Sequence, residues 1–317
     1  MNPPGVFDYG HGIFAVDSVY DRRLQTAIHL LVEEGRAAVI DTGTAHAVPH
    51  VMAALAAQGV APEQVDYVIL THVHLDHAGA AGQLMVRFPN ARLTVHPRGA
   101  RHMVDPSRLL SATVAIYGAE ETRRIYGEVL PVPAARVVET GEGARLALAG
   151  RELLFLDAPG HARHHVVVRD GKTGHFFAGD TFGLSYRELD RDGRQFSFPT
   201  TSPSQFDPAA LHLSIDRMLS YGPAALYVTH FGRLTNPSEL AADLHRLIDA
   251  HAELGERHRH AGAERKRLLM EGVRSLVLDE STRQKWHLPR EEVLKIFALD
   301  IELNARGIEF WLDSEGK

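Results

Sequence analysis

Short runs of apolar and β-branched residues alternate with polar turns from the beginning of the chain. Ile13 to Val19, Thr26 to Val32 and Ala37 to Ile40 read as strands, and Glu33-Glu34-Gly35-Arg36 suits a hairpin turn between the last two. The pattern then predicts a helix from Ala47 to Gln58, stopped by Gly59. Beyond it, Val65 to Leu70, Leu153 to Leu156, His175 to Ala178 and Ala225 to Val228 are short apolar runs of the kind that form buried strands. Each is followed within a few residues by a group able to bind a metal: the first by His72, His74, Asp76 and His77, the second by His161, the third by Asp180 and the fourth by His230. Strands that deliver such groups at one end place a site along the rim of a sheet, where open α/β sheets usually carry their chemistry.

Two stretches interrupt this pattern. Residues from about Pro97 to Pro133 read as helical, with Met103, Leu109, Leu110, Ile116, Tyr117, Ile125 and Tyr126 supplying apolar faces. Thr181 to Pro208 reads as a loop in which Phe182, Tyr186, Phe196 and Phe198 either contact substrate or pin the loop to the core. From Pro237 the chain is helical. Pro289 at a start, Glu291 and Glu292 in the first turn, a run from Val293 to Leu303 and Gly307 as the stop predict one amphipathic helix. The expected division is a catalytic domain over 1–236, with a helical insertion at about 97–133, and a helical segment over 237–317 packed on it.

Composition narrows the chemistry. With 317 residues and no cysteine, any metal site is built from His, Asp and Glu, and disulfides and a thiol nucleophile are excluded. A net charge of −6 argues against a general nucleic-acid binder. No apolar segment reaches the roughly 20 residues of a membrane span and no leader pattern opens the chain, so a soluble, cytoplasmic protein is expected. Of the 20 histidines, His245, His251, His258 and His260 read as solvated surface. His11, His29, His46, His96 and His102 lack clustering and read as structural or exposed. His165 reads as the start of a strand, and His164 is open between that and a contact to the site.

The dense His72-x-His74-x-Asp76-His77 motif is costly to bury without a cation, because imidazoles and a carboxylate need partners once removed from water. With His161, Asp180 and His230 downstream, the chain over roughly residues 10 to 235 resembles the metallo-β-lactamase superfamily. The resemblance implies a four-layer αββα sandwich. It implies one metal held by His72, His74 and His161, a second held by Asp76, His77 and His230, and Asp180 bridging the two. Asp41, in Val39-Ile40-Asp41-Thr42-Gly43, matches the family's early Asp that supports the metal-bearing loop. Two divalent cations roughly 3.5 to 4 Å apart share a hydroxide and activate it near neutral pH. Zinc is the expected metal, with iron or manganese as alternatives, and Asp76 and Asp180 are the carboxylates at the reacting centre.

Within the superfamily the chain lacks the cysteine of one zinc branch, the long insertion of the nucleases between Asp180 and His230, and the flavin domain of the flavodiiron enzymes. It is most similar to the glyoxalase II-like and lactonase-like branches, which implies hydrolysis of a small ester, thioester or lactone. The glutathione-binding basic residues of glyoxalase II are not matched, and Tyr186 departs from the lactonase spacing. A mononuclear-iron persulfide dioxygenase, a phosphodiesterase and a non-catalytic ligand-binding protein are the alternatives. A homodimer is the expected assembly.

Overall fold

The computed structural model of the protein describes residue 3, residues 5–201 and residues 205–314. The chain divides into two compact units: Met1–Asp157, His164–Gly179 and Pro223–Arg233 form the first, and Ala158–Arg163, Asp180–Gly222 and Leu234–Lys317 the second.

In the first unit, seven strands stand in chain order across one sheet: β1 (Val6–Asp8), β2 (Ile13–Asp17), β3 (Ala27–Glu33), β4 (Arg36–Ile40), β5 (Val65–Ile69), β6 (Arg92–Val95) and β7 (Val137–Glu139). Pairing is antiparallel up to β4 and parallel beyond it. The predicted hairpin joins β3 to β4 with positive φ at both Glu34 (46°) and Gly35 (73°), the backbone of a type I′ turn, and leaves Glu33 paired with Arg36. The second sheet contains β8 (Arg145–Leu148), β9 (Arg151–Asp157), β10 (Val166–Asp170), β11 (Phe176–Gly179), β12 (Ala225–Val228) and β13 (Gly232–Thr235), in the spatial order β13-β12-β11-β10-β9-β8.

Strand β4 shows why these segments read as unbroken apolar runs. Ala38 and Ile40 face the other sheet, in a core with Phe155, Val166, Val168 and Phe177. Ala37 and Val39 face helices on the opposite side, with Val51 and Leu55 of α1 (Val48–Ala57) and Leu84 of α3 (Ala81–Arg87). Alternate side chains are buried on both faces, so polar alternation disappears. Short helix α2 (Leu75–Ala78) begins inside the histidine motif, and the predicted helical stretch after Pro97 resolves into α4 (Pro97–Val104), α5 (Ser107–Tyr117) and α6 (Ala119–Tyr126). Two face-to-face sheets with helices, and further helices towards the C-terminus, are the αββα class that the sequence implies.

The second unit carries α7 (Pro208–Ser220), α8 (Pro237–His258), α9 (Arg265–Gln284), α10 (Arg290–Ile296) and α11 (Ala298–Ser314). The helix predicted from Pro289 to a stop at Gly307 is two helices, broken at Phe297, and Gly307 lies buried inside α11. Phe297 leaves the helix to fill an aromatic cluster, with ring centroids 5.6 Å from Tyr186, 5.4 Å from Phe198 and 5.6 Å from Trp286. The same cluster decides the role of the 181–208 loop. Phe182, Tyr186, Phe196 and Phe198 are all buried, and they pin the loop. Among the described residues no helix is long and apolar enough to cross a membrane.

Candidate metal centre

The centre is organised around a carboxylate that is not itself one of the seven candidate ligands. Asp41 directly follows β4 with its backbone in the left-handed region (φ 56°) and its side chain buried. Its Oδ1 accepts the Thr71 amide at 2.9 Å. Its Oδ2 accepts the Thr229 hydroxyl at 2.9 Å and His77 Nδ1 at 2.8 Å, while the Thr71 hydroxyl lies within 3.0 Å of both oxygens. Three segments that follow β4, β5 and β12 are thereby tied to one buried group. The Thr42 amide and hydroxyl then hold the His77 carbonyl at 2.6 and 2.8 Å, fixing the end of the motif.

These bonds set which nitrogen each imidazole presents. A carboxylate only accepts, so His77 carries its proton on Nδ1 and turns Nε2 towards the centre. His230 places Nδ1 3.2 Å from the Gln25 carbonyl, and His72 places Nδ1 3.1 Å from the Thr71 hydroxyl, with the same result for their Nε2 atoms. His72 Nε2 and His74 Nδ1 then converge at 2.9 Å. Asp76, His77 and His230 offer ligand atoms that all lie within 4.8 Å of one another, with Asp76 Oδ2 at 3.5 Å from both His77 Nε2 and His230 Nε2. Imidazoles held from behind by oxygen are the usual arrangement of metal-ligating histidines. The nitrogen and oxygen donors suit zinc, iron or manganese. By donor chemistry and orientation, these residues fit a metal.

His161 and Asp180 belong to the second unit, where His161 Nε2 stands 3.5 Å from Asp180 Oδ2. Behind His161 runs a chain of bonds absent from the sequence pattern. His161 Nδ1 donates to the Thr200 carbonyl at 3.1 Å, and the Thr200 hydroxyl donates to the Asp180 carbonyl at 3.2 Å. Asn304, on α11, accepts the Thr201 amide at 2.8 Å and donates to the Pro199 carbonyl at 3.0 Å. The C-terminal helix therefore fixes the loop that orients His161. In the first unit, Gly179 precedes Asp180 with φ 51°, and a Cβ there would stand 2.6 Å from His165 Nε2 and 2.7 Å from Thr71 Oγ1, so only glycine fits.

The other histidines divide by environment. His165 is buried just before β10, with its ring 4.9 Å from that of His72, and His164 lies 5.9 Å from His74. Both thus stand beside the motif. His29 is buried between Phe177 and Tyr227, and burial pushes its pKa down to about 4. His251, expected on the surface, is fully buried. It sits on the apolar stripe of α8 with Nδ1 donating to the Leu247 carbonyl at 2.7 Å, and burial again lowers it to about 4. Tyr186, whose hydroxyl is 2.9 and 3.0 Å from the Asp300 carboxylate oxygens, is a structural residue of the second unit. No motif in the sequence marks Tyr20, and Tyr126 reads there only as part of an apolar face. Their buried hydroxyls are 3.3 Å apart, and burial first, then neighbouring Asp76 and tyrosines, raises both pKa values, so they remain neutral donors.

The sequence model described as the metallo-β-lactamase superfamily matches residues 21–230. Over 179 residues the chain is 31% identical to hydroxyacylglutathione hydrolase of Xanthomonas axonopodis pv. citri, covering 56% of this chain and 51% of that protein. The chain spans about half the length of the curated relatives named in this way that it matches. Among solved structures, an archaeal metallo-β-lactamase superfamily protein from Sulfolobus tokodaii aligns with a TM-score of 0.63 at 20% identity, over 95% of this chain and 99% of that one. A metallo-β-lactamase family protein from Thermus thermophilus aligns with a TM-score of 0.61 at 22% identity, over 96% and 94%. These likenesses show the fold.

Proposed function

The chain belongs to the metallo-β-lactamase superfamily, and from that premise we propose that it is a metal-dependent hydrolase of a small-molecule ester, thioester or lactone. The observation that carries the proposal is the convergence of Asp76, His77 and His230, with His77 held through Nδ1 by Asp41. In this reading His72, His74 and His161 would hold one divalent cation and Asp76, His77 and His230 another, with Asp180 serving both. Zinc is favoured, with iron or manganese as alternatives. Such cations would supply an activated water and polarisation of the scissile carbonyl. Asp76 would orient the attacking water and accept its proton. The name of the relatives, hydroxyacylglutathione hydrolase, favours an acyl thioester as the bond broken.

The test is metal analysis of protein purified without added metal, combined with a panel of thioester, ester, lactone and phosphodiester substrates before and after chelation. Near two metals per chain with chelator-sensitive thioester or ester cleavage is the expected result. One iron per chain with oxygen consumption and no hydrolysis would overturn the proposal in favour of a dioxygenase. Turnover confined to the phosphodiester would leave a metal-dependent hydrolase with a different bond.

A further inference from the structure

A second cluster of histidines and aspartates lies on the second unit, between α7 and α8. His212 and Asp216 stand one turn apart on α7, and His245 and Asp249 stand one turn apart on α8. The pairing crosses between the helices. His212 Nε2 is 2.9 Å from Asp249 Oδ1, and His245 Nε2 is 3.1 Å from Asp216 Oδ1. The imidazole planes are nearly parallel, at 19° with centroids 4.8 Å apart, and the two Nδ1 atoms face each other at 2.5 Å.

A carboxylate only accepts, so each Nε2 carries the ring proton and each Nδ1 of a neutral ring presents its lone pair. Two lone pairs directed at each other across 2.5 Å repel, and a cation between them reverses the sign of that interaction. Histidine that ligates a metal through one nitrogen characteristically donates the other N–H to a carboxylate, and both rings are held in that manner here. We propose that His212 and His245 form a divalent transition-metal site on the surface, coordinating through their two Nδ1 atoms, with Asp216 and Asp249 orienting the rings. Imidazole donors with open positions suit Zn²⁺, Ni²⁺ and, most tightly, Cu²⁺. With metal–nitrogen distances of about 2.0–2.1 Å, two tetrahedral donors lie about 3.3 Å apart, so binding requires the rings to separate by about 1 Å and to tilt until their lone pairs converge on the ion. Both side chains are about a quarter exposed (26% and 25%), which gives them that freedom and gives the ion access. The metal would cross-link α7 to α8, and it owes nothing to the centre around Asp41.

The test uses the full untagged chain, stripped with chelator, dialysed against buffered Zn²⁺ or Cu²⁺ and assayed for metal content. The wild type is expected to retain one more equivalent per chain than the His212→Gln, His245→Gln double variant, with equal hydrolytic turnover per chain. Nitrogen couplings from two imidazoles are expected in the Cu²⁺ electron paramagnetic resonance of the extra site and are lost in the variant. Asp216→Asn and Asp249→Asn are expected to weaken the extra site about 10–100-fold. Equal metal content in wild type and double variant would overturn the proposal and leave a shared proton as the occupant. The readout is a difference between two proteins with the same His72, His74, Asp76, His77, His161, Asp180 and His230, so failure of the hydrolase reading does not mimic failure here.

Discussion

Asp41→Asn separates the two roles that the buried carboxylate plays. Asparagine keeps the volume and tolerates the left-handed backbone at this position (φ 56°), so the perturbation is chemical. Its amide replaces one acceptor oxygen with a donor. If the remaining oxygen keeps the Thr71 amide (2.9 Å), the NH₂ group confronts His77 Nδ1 (2.8 Å) and the Thr229 hydroxyl (2.9 Å). The hydroxyl can rotate to accept. His77 can accept only by moving its proton to Nε2, which removes that nitrogen as a ligand. If it keeps its tautomer instead, two buried donors face each other. Hydrogen bonds to charged groups contribute about 1.5–3 kcal/mol against about 0.5–1.5 for neutral ones, so loss of the charge across these contacts costs about 2–4 kcal/mol. Loss of a group that orients a ligand typically weakens metal binding about 10–100-fold. Urea denaturation of the chelated protein and a competitive zinc titration measure the two effects separately. Asp41→Ala should cost about 1–2 kcal/mol more than Asp41→Asn, because alanine also carries the left-handed backbone penalty. If Asp41→Asn stays within about 0.5 kcal/mol of wild type with unchanged zinc affinity, Asp41 does not hold His77 in its ligating tautomer.

Three further outcomes follow from buried polar groups. Asn304→Ala removes the bonds to Thr201 and Pro199; it should cost about 1–3 kcal/mol and lower zinc affinity through His161, which competitive titration detects. Arg151→Met leaves Asp170 buried without the guanidinium that holds it at 2.6 and 2.7 Å, at a cost of about 3–5 kcal/mol. Burial alone would raise Asp170, but Arg151 and Thr173 bring it below the ordinary carboxylate range. Its stabilisation is therefore present above the unfolded value of about 3.9 and is lost only as pH falls through the lower folded value. In Arg151→Met burial remains and the loss should begin at higher pH, visible as an upward shift of the acid unfolding midpoint; an unmoved midpoint would contradict the assignment. His251→Met tests the opposite sign. With His251 at about 4 in the folded protein and about 6.5 unfolded, the unfolded chain takes the proton first. Stability is full above about 6.5 and falls by up to about 3 kcal/mol towards pH 4, and the variant should show a flatter profile over that window.

The strands were legible because their signal is local. Phe176–Gly179 and Ala225–Val228 are buried on both faces, Val65–Ile69 is buried except at Asp66 and Tyr67, and the candidate ligands at 72, 180 and 230 follow these strands closely. Asn304 was not legible. Its partners lie more than a hundred positions away, and a hydrogen bond across that distance leaves no period in the sequence. The Phe297 break was hidden for a similar reason: helix propensity runs through it, and only the aromatic pocket formed by Trp286 and residues of the 181–208 loop pulls it out.

His251 is a different kind of miss, because the signal was present. The buried residues of α8 include Leu244, Leu247, Ile248, His251, Leu254 and Gly255, which recur at every helical turn on one stripe. Position on that stripe determines burial, and residue type then determines what burial does. A leucine there would only pack, whereas the histidine packs against Phe198 and becomes a neutral base that resists protonation. The same criterion separates His212. On α7 the buried residues are Leu211, Ser214, Ile215 and Met218, and His212 lies beside that stripe rather than on it. It remains partly exposed and able to meet an ion from solvent. Two histidines of similar sequence surroundings thus differ in chemistry because one falls on a helix's core face and the other on its margin.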